Sequence, residues 1–379
     1  MNVAVALLTG GWPSGSIDFG GYCHALARLG HSPTLVACGH DRTDASFPVV
    51  ETSLEQMEQA HFWRSLKLDA VIFFNWLHYA TIVRAMKQAG LFVISRGDTD
   101  GHASARVFPG PAWLTLEDSN DGILVRLRKA KIWMERYLKV SAIEDQDVLQ
   151  TIEQTDAVAI EGEEAAKNVR RILAYYQRSD LEGKLHVIPH SVKDVILTEK
   201  VTIGQRPKTI FCGGRWLHPQ KDANLLIATL DILLRRQPHL QVVIAGDGAE
   251  SLFGPLTHRH PGVNWLRRVP HEKVAALLTN SRVMLSSSRW EGYSILALEA
   301  LCMGCSFAAP PLPGFISMSE NGRFGTVSAR RNPPSLVNAV ESELKLWDLG
   351  SRLPAEISAT WRRRTSNDSV MANLLSLIR

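Results

Sequence analysis

The sequence predicts an α/β protein built from two doubly wound domains in tandem. Three observations carry that expectation. Short apolar runs alternate with helix-like segments along most of the 379 residues. Most of those runs are apolar throughout, as the strands of a parallel sheet covered on both faces must be. The alternation stops once, in a polar segment near the middle, and then begins again. A chain of this length can bury two cores.

VAVALL (3–8) opens the series as a strand and runs into TGGWPSGSIDFGGY (9–22), a loop rich in glycine and small hydroxyls, before a helix through YCHALARLG. MNVAVALLTGG has no cationic start and breaks at Gly10-Gly11, so it reads as a buried strand and not as a signal peptide. PTLVAC (33–38), DAVIFF (69–74), LFVISR (91–96), DAVAIE (156–161) and KLHVIPH (184–190) follow as strands with helical patterns between them. Asp194 to Lys208 is polar, holds Gly204 and Pro207, and reads as a linker. A second series then starts: TIFCGG (209–214) a strand, NLLIATLDILLRR a helix, QVVIAG (241–246) and VNWL (263–266) strands, VAALLTN (274–280) a helix, RVMLSSS (282–288) a strand. The predicted domains are 1–193 and 209–350, joined by 194–208. Helical patterns at 335–349 and 367–379 end the chain, and pattern alone does not say whether the tail over 351–379 returns to the first domain.

Bulk composition excludes several function classes. Hydrophobic residues make up 45% and charged residues 21%, an ordinary soluble balance. A net charge of +4 is too small to imply nucleic acid. No apolar run reaches the ~18 residues that span a bilayer. Five scattered cysteines argue for reduced thiols in a cytoplasmic setting, and Cys302/Cys305, separated by Met303-Gly304, read as a buried core pair near a helix end. VRLRKAKIWMERYLK (125–139) interleaves cations with Leu127, Ile132, Trp133 and Tyr137. Its two readings are a helix on an anionic membrane surface and a solvated helix on the first domain.

Ligands of parallel α/β sheets bind beyond the carboxyl ends of the strands, and the unusual residues fall there. Gly10 and Gly11 open a loop whose backbone amides suit an anion or substrate. GGRWLHPQKD (213–222) places Arg215 and Lys221 on one post-strand loop, where two cations suit a diphosphate. In SSRWEGYSILALEALCMG (286–304), Glu291 sits in a turn above a helix expected over about Tyr293 to Met303. Gly292 and Ser294 lie at that helix's N-terminus, and Glu299 lies inside it. An eight-residue helical step would bring the two acids within roughly 80° of one face, about 12 Å apart along the axis. That separation is too long for the acid pair of a typical glycoside hydrolase and suits two hydroxylated parts of one extended ligand.

From Asp156 onward the sequence resembles retaining glycosyltransferases of family four, with GT-B architecture. WEGYSILALEALCMGCSFAA is similar to the family signature of an acid, a glycine, seven residues between two glutamates, and a small-residue helix ending in glycine. CGGRWLHPQKD resembles its Gly-Arg then Lys phosphate loop, and VVIAGDGAE its next strand and turn. The match covers most of 156–325 and, with the Gly20-Gly21 helix start, about two thirds of the chain. The resemblance implies two Rossmann-like domains facing a central cleft. Arg215 and Lys221 would hold the donor diphosphate, Glu291 would touch hydroxyls of the transferred sugar, and Gly292 and Tyr293 would offer amides to the phosphates. Glu299 would grip the nucleotide ribose, and the turn at Arg268 and Val269 would lie near the base. The donor would be a UDP or GDP sugar, the acceptor a glycan or a lipid-linked hydroxyl. No metal or other cofactor is expected to be obligatory; DTD (98–100) reads as a loop turn.

Some positions depart from the family pattern. Its Lys-Gly is Lys221-Asp222 here, and its Ile-Pro-Asn-Gly-Val-Asp appears as IPHSVK (188–193). Where the family offers a histidine toward the donor sugar, FVISRGDTDGH (92–102) holds Arg96, with His102 beyond. Sugar transfer with retention, in glycan, polysaccharide or glycolipid biosynthesis, is the expected activity. The competing readings are a nucleotide-sugar epimerase or phosphorylase and a non-catalytic nucleotide-sugar-binding subunit.

Overall fold

The structure, a computed structural model, describes residues 1–8, 19–39, 46–97, 99–104, 106–108, 131, 141–267 and 269–378. Two compact units divide the chain. The first comprises Met1–Ser191 and the segment from Asn367 onward; the second comprises Val192–Ser366.

The first unit is built on strands β1 (Asn2–Leu7), β2 (Ser32–Cys38), β3 (Val49–Thr52), β4 (Ala70–Asn75), β5 (Phe92–Gly97), β6 (Ala157–Ile160) and β7 (Leu185–Val187). They pair in the order β3-β2-β1-β4-β5-β6-β7, every pair parallel. Val5 of β1 stands opposite Leu35 on one side and Ile72 on the other. All six residues of β4 are buried, which is why its first five, AVIFF, read as an unbroken apolar run; Asn75 at its end donates to Ser95 Oγ at 2.8 Å. Helices cover both faces. Ala80–Gln88, for example, turns Ile82, Val83, Ala85 and Met86 inward at helical spacing.

The second unit repeats the plan with β8 (Thr209–Gly213), β9 (Gln241–Ala245), β10 (Val263–Leu266), β11 (Val283–Leu285), β12 (Ser306–Ala309) and β13 (Gly325–Val327). Their order is β10-β9-β8-β11-β12-β13, again parallel throughout. Helix Ala223–Arg236 packs Leu226, Leu230, Leu233 and Leu234 against this sheet. Each leucine so buried stabilises the unit by about 2 kcal/mol as an upper figure. In both units the strand order reverses beside the first strand, between β1 and β4 and between β8 and β11, the positions where such sheets take ligands.

The segment read as a linker folds onto the second unit instead of bridging in solvent. Helix Asp194–Thr198 buries Ile196, and the Arg362 guanidinium donates to the carbonyls of Ile196, Leu197 and Glu199. The C-terminal tail divides. Helix Pro354–Thr365 packs on Ile295–Cys302 in the second unit, with Trp361 edge-on to Phe324. Helix Asn367–Leu375 lies on Phe19–Arg28 in the first unit, burying Val370, Met371 and Leu374 and pairing Asp368 with Arg28 at 2.6 Å. The cysteine pair is core, as read. Both thiols are free and buried, and Cys305 Sγ donates to the carbonyls of Leu278 and Ser281. Burial pushes each thiol up to about 12. No described helix is long and apolar enough to cross a membrane.

Candidate functional site

The second unit's switch point is flanked by two loops, one after β8 and one after β11. The first is pinned by Trp216, whose buried indole donates to the Ala245 carbonyl at 2.9 Å and meets Phe253 edge-on. Gly214 and Trp216 amides donate to the carbonyls of Ala245 and Asp247. Gly246, at the end of β9, has φ +119, and a Cβ there would lie 1.9 Å from the Gly214 carbonyl oxygen, so the close approach demands glycine. With Trp216 turned inward, Arg215 is exposed and makes no hydrogen bond or ion pair among the described residues. His218 caps a short turn, Pro219–Lys221. Partial burial and the charges of Arg215 and Lys221 hold the His218 imidazole below its ordinary value.

The second loop is laced to the first. Ser287 Oγ donates to the Lys221 carbonyl at 2.7 Å, Gln220 Nε2 to the Trp290 carbonyl at 3.0 Å, and the Arg289 amide to the Gln220 carbonyl at 2.8 Å. These bonds bring Lys221 Nζ to 2.5 Å from Glu291 Oε1, which also accepts from Ser288 Oγ at 2.7 Å. Glu291 Oε2 has no hydrogen-bond partner among the described residues. The outcome is a largely buried ammonium–carboxylate pair with an exposed guanidinium on the same loop. Such a set can offset part of a diphosphate's charge while one carboxylate oxygen accepts from a hydroxyl.

Helix Ile295–Cys302 begins four residues after Glu291. The expected helical step between the two acids therefore does not exist: Glu291 stands in the loop, and only Glu299 is helical. Ser294 is the N-cap, its hydroxyl accepting from the Ala297 amide at 3.4 Å. Tyr293 is buried, and Gly292 packs so tightly on Gly314 that a Cβ on the latter would meet the Gly292 carbonyl at 2.7 Å. Glu299 is almost fully buried and bonds through Oε1 to His271 Nε2 at 2.7 Å. Sequence reading missed His271. The only available signal was Pro270-His271 at the start of a helical pattern.

The remaining expected positions scatter. Gly10, Gly11 and Arg268 lie outside the described residues, as does 125–139 apart from Lys131. Val269 is half-buried against the core of the second unit. Arg96 requires a correction. It is fully buried in the first unit, donating to the carbonyls of Ile188 at 2.5 Å and Pro189 at 2.7 Å, so it braces β5 to the chain after β7 instead of facing a sugar. His102 is held by Asp100, Nδ1 to Oδ2 at 3.1 Å, and lies edge-on to Phe108.

Known proteins share this fold. Over 99% of this chain and 97% of the other, the coordinates superimpose on a glycosyltransferase from Rickettsia africae with a TM-score of 0.68 at 14% identity. Anabaena HepE in complex with UDP-glucose matches over 99% of both chains, with a TM-score of 0.63 at 13% identity. The fold is GT-B, two Rossmann-like domains. More particularly, residues 207–345, which lie in the second unit, match the family model described as glycosyl transferases group 1. In sequence the chain is similar to a phosphatidylinositol N-acetylglucosaminyltransferase component of Arabidopsis thaliana, 26% identical over 43% of this chain and 37% of that protein. It is also similar to alpha-D-kanosaminyltransferase of Streptomyces kanamyceticus, 27% identical over 41% of each chain. The matches thus span about two fifths of each relative's length.

Proposed function

We propose that the protein is a retaining glycosyltransferase that moves a hexose from a nucleoside diphosphate sugar to an acceptor hydroxyl in glycan or glycolipid synthesis. The observation that carries the reading is the Lys221–Glu291 pair beside exposed Arg215 at the switch point of the unit that matches the glycosyl transferases group 1 model. Transfer breaks the bond from the anomeric carbon to the diphosphate, leaving the electron pair on a phosphoryl oxygen. Arg215 and Lys221 would stabilise that charge, a contribution of about 10²–10³ in rate per well-placed donor. Glu291, whose Oε2 has no hydrogen-bond partner among the described residues, would accept from a hydroxyl of the departing sugar, and Glu299 from the ribose. UDP as the nucleotide is supported by the UDP-glucose complex of HepE, and sugar transfer by the names of both sequence relatives.

Thermal unfolding with UDP, GDP, ADP and their sugars tests the donor side, since a ligand held by the folded state raises its melting temperature. One base should stand out, and Glu299→Ala should abolish its effect while leaving the ligand-free transition in place. No stabilisation by any of them would end the reading. Released nucleotide with an added acceptor separates transfer from mere binding, and the anomeric configuration of the product decides retention.

A further inference from the structure

The residue after Lys221 is an aspartate held at φ +44 and ψ +66, the left-handed region that favours glycine. Strain of this kind persists where the surroundings over-determine it. Here they do, and the two oxygens of Asp222 divide the task. Oδ1 accepts from the Leu225 amide at 3.2 Å and caps helix Ala223–Arg236. Oδ2 faces two arginines: Arg289 Nε at 3.2 Å, and an Arg331 guanidinium nitrogen in direct hydrogen-bond contact. Arg289 belongs to the loop after β11, and Arg331 to the loop after β13. Arg331 Nε also donates to the Ser288 carbonyl at 3.2 Å, next to the hydroxyl that bonds Glu291. One buried carboxylate, next in sequence to Lys221, therefore ties three strand-end loops together and is linked through Arg331 and Ser288 to Glu291.

We propose that Asp222 is a positioning residue for diphosphate recognition: it clasps Arg289 and Arg331 so that Lys221 and Glu291 are held in register. The inference rests on the nucleotide-sugar reading and deepens it. Two effects of removing the carboxylate have opposite signs, which makes the idea testable. Deleting a negative charge beside the site raises the local positive potential and by itself tightens anion binding. Losing the clasp lets the loops part and weakens it.

Asp222→Asn spares the cap and the backbone, because asparagine caps helices as well as aspartate and tolerates the left-handed region; it removes the charge and with it the clasp, so a net loss of affinity shows that the clasp outweighs the charge. In calorimetric titrations of the full chain, this variant should bind UDP about tenfold more weakly than wild type, the scale of one hydrogen bond to a charged group. UMP, which lacks the second phosphate, should lose much less. A merely structural role would weaken UDP and UMP in parallel, and that outcome overturns the proposal, as does unchanged or tighter UDP binding. Should the variant not fold, Arg331→Lys, which keeps the charge but loses the guanidinium fork that reaches both Asp222 and the Ser288 carbonyl, opens the same clasp from the other side and must show the same selective loss. If another base is preferred, its di- and monophosphates take the place of UDP and UMP. Wild-type protein that binds no nucleoside diphosphate would sink the functional reading together with this one, whereas tight wild-type binding with an indifferent variant sinks only the clasp.

Discussion

Gly246→Ala puts the geometry of the phosphate-facing loop to a sharp test. The added methyl would start 1.9 Å from the Gly214 carbonyl oxygen, and ordinary contact begins at 3.4 Å, so one backbone must yield by about 1.5 Å. Neither partner is a flexible side chain that can swing away. At φ +119 an L-residue loses about 1–2 kcal/mol from backbone strain alone, and forced overpacking adds about 1–3 kcal/mol. Taken together the loss is about 3 kcal/mol, which for a unit of this size lowers the melting temperature by roughly 6–12 °C. The yielding segment is the base of the loop that carries Arg215 and Lys221, so nucleotide affinity should fall along with stability. Differential scanning calorimetry with and without UDP reads both. Gly204→Ala is the control, since a Cβ there meets nothing within 4 Å. A Gly246→Ala melting temperature within about 2 °C of wild type would refute the steric reasoning.

Three further outcomes are expected. Glu343 and Arg352 form a buried two-point pair at 2.5 and 2.8 Å, so Glu343→Leu should cost about 3–5 kcal/mol in urea unfolding; Glu343→Leu with Arg352→Met should recover part of it, and equal losses would show that the orphaned charge is not the cause. Burial, and then the hydrogen bond and charge of Asp145, raise the Tyr176 phenol to about 12. Its folded value thus exceeds its unfolded value near ~10, and the stability it contributes is complete below ~10 and lost as pH rises through about 12. Tyr176→Phe should flatten that alkaline decline in unfolding free energy measured from pH 8 upward. Cys38 is the one half-buried cysteine, the other four being buried, so iodoacetamide at pH 8 should label Cys38 first and the rest only on unfolding, as peptide mass mapping would report.

Legibility followed local chemistry. Strands such as β4, buried on both faces, spell themselves out in consecutive apolar letters, whereas β12 (SFAA) and β13 (GTV) are too short and small to separate from their surroundings. Segment 194–208 looks like a linker because its anchoring rests on one fully buried apolar residue, Ile196, on the buried Arg206 guanidinium, which donates to the Ser281 and Met303 carbonyls, and on carbonyls bonded to the distant Arg362. Within the site, Lys221 and Glu291 were readable because each sits in a loop directly after a strand. The His271–Glu299 contact joins residues 28 apart, and no spacing rule reaches that far. The two-acid helix argument failed because a helix start set by the Ser294 cap leaves Glu291 outside it. Asp222 was noticed only as an oddity; its meaning depends on Arg331, 109 residues later.

The chain quits the first unit at Ser191 and re-enters it at Asn367, and the Val192 amide donates to the Thr365 carbonyl, so the second unit's beginning and end are stapled side by side. Val370, Met371 and Leu374, which help fill the first unit's core, therefore reach it only after the chain has passed through the whole second unit. Cutting the chain after Ser366 would leave the second unit's closure intact while baring apolar side chains of the first, so the loss of one helix would be felt as a defect of residues hundreds of positions earlier.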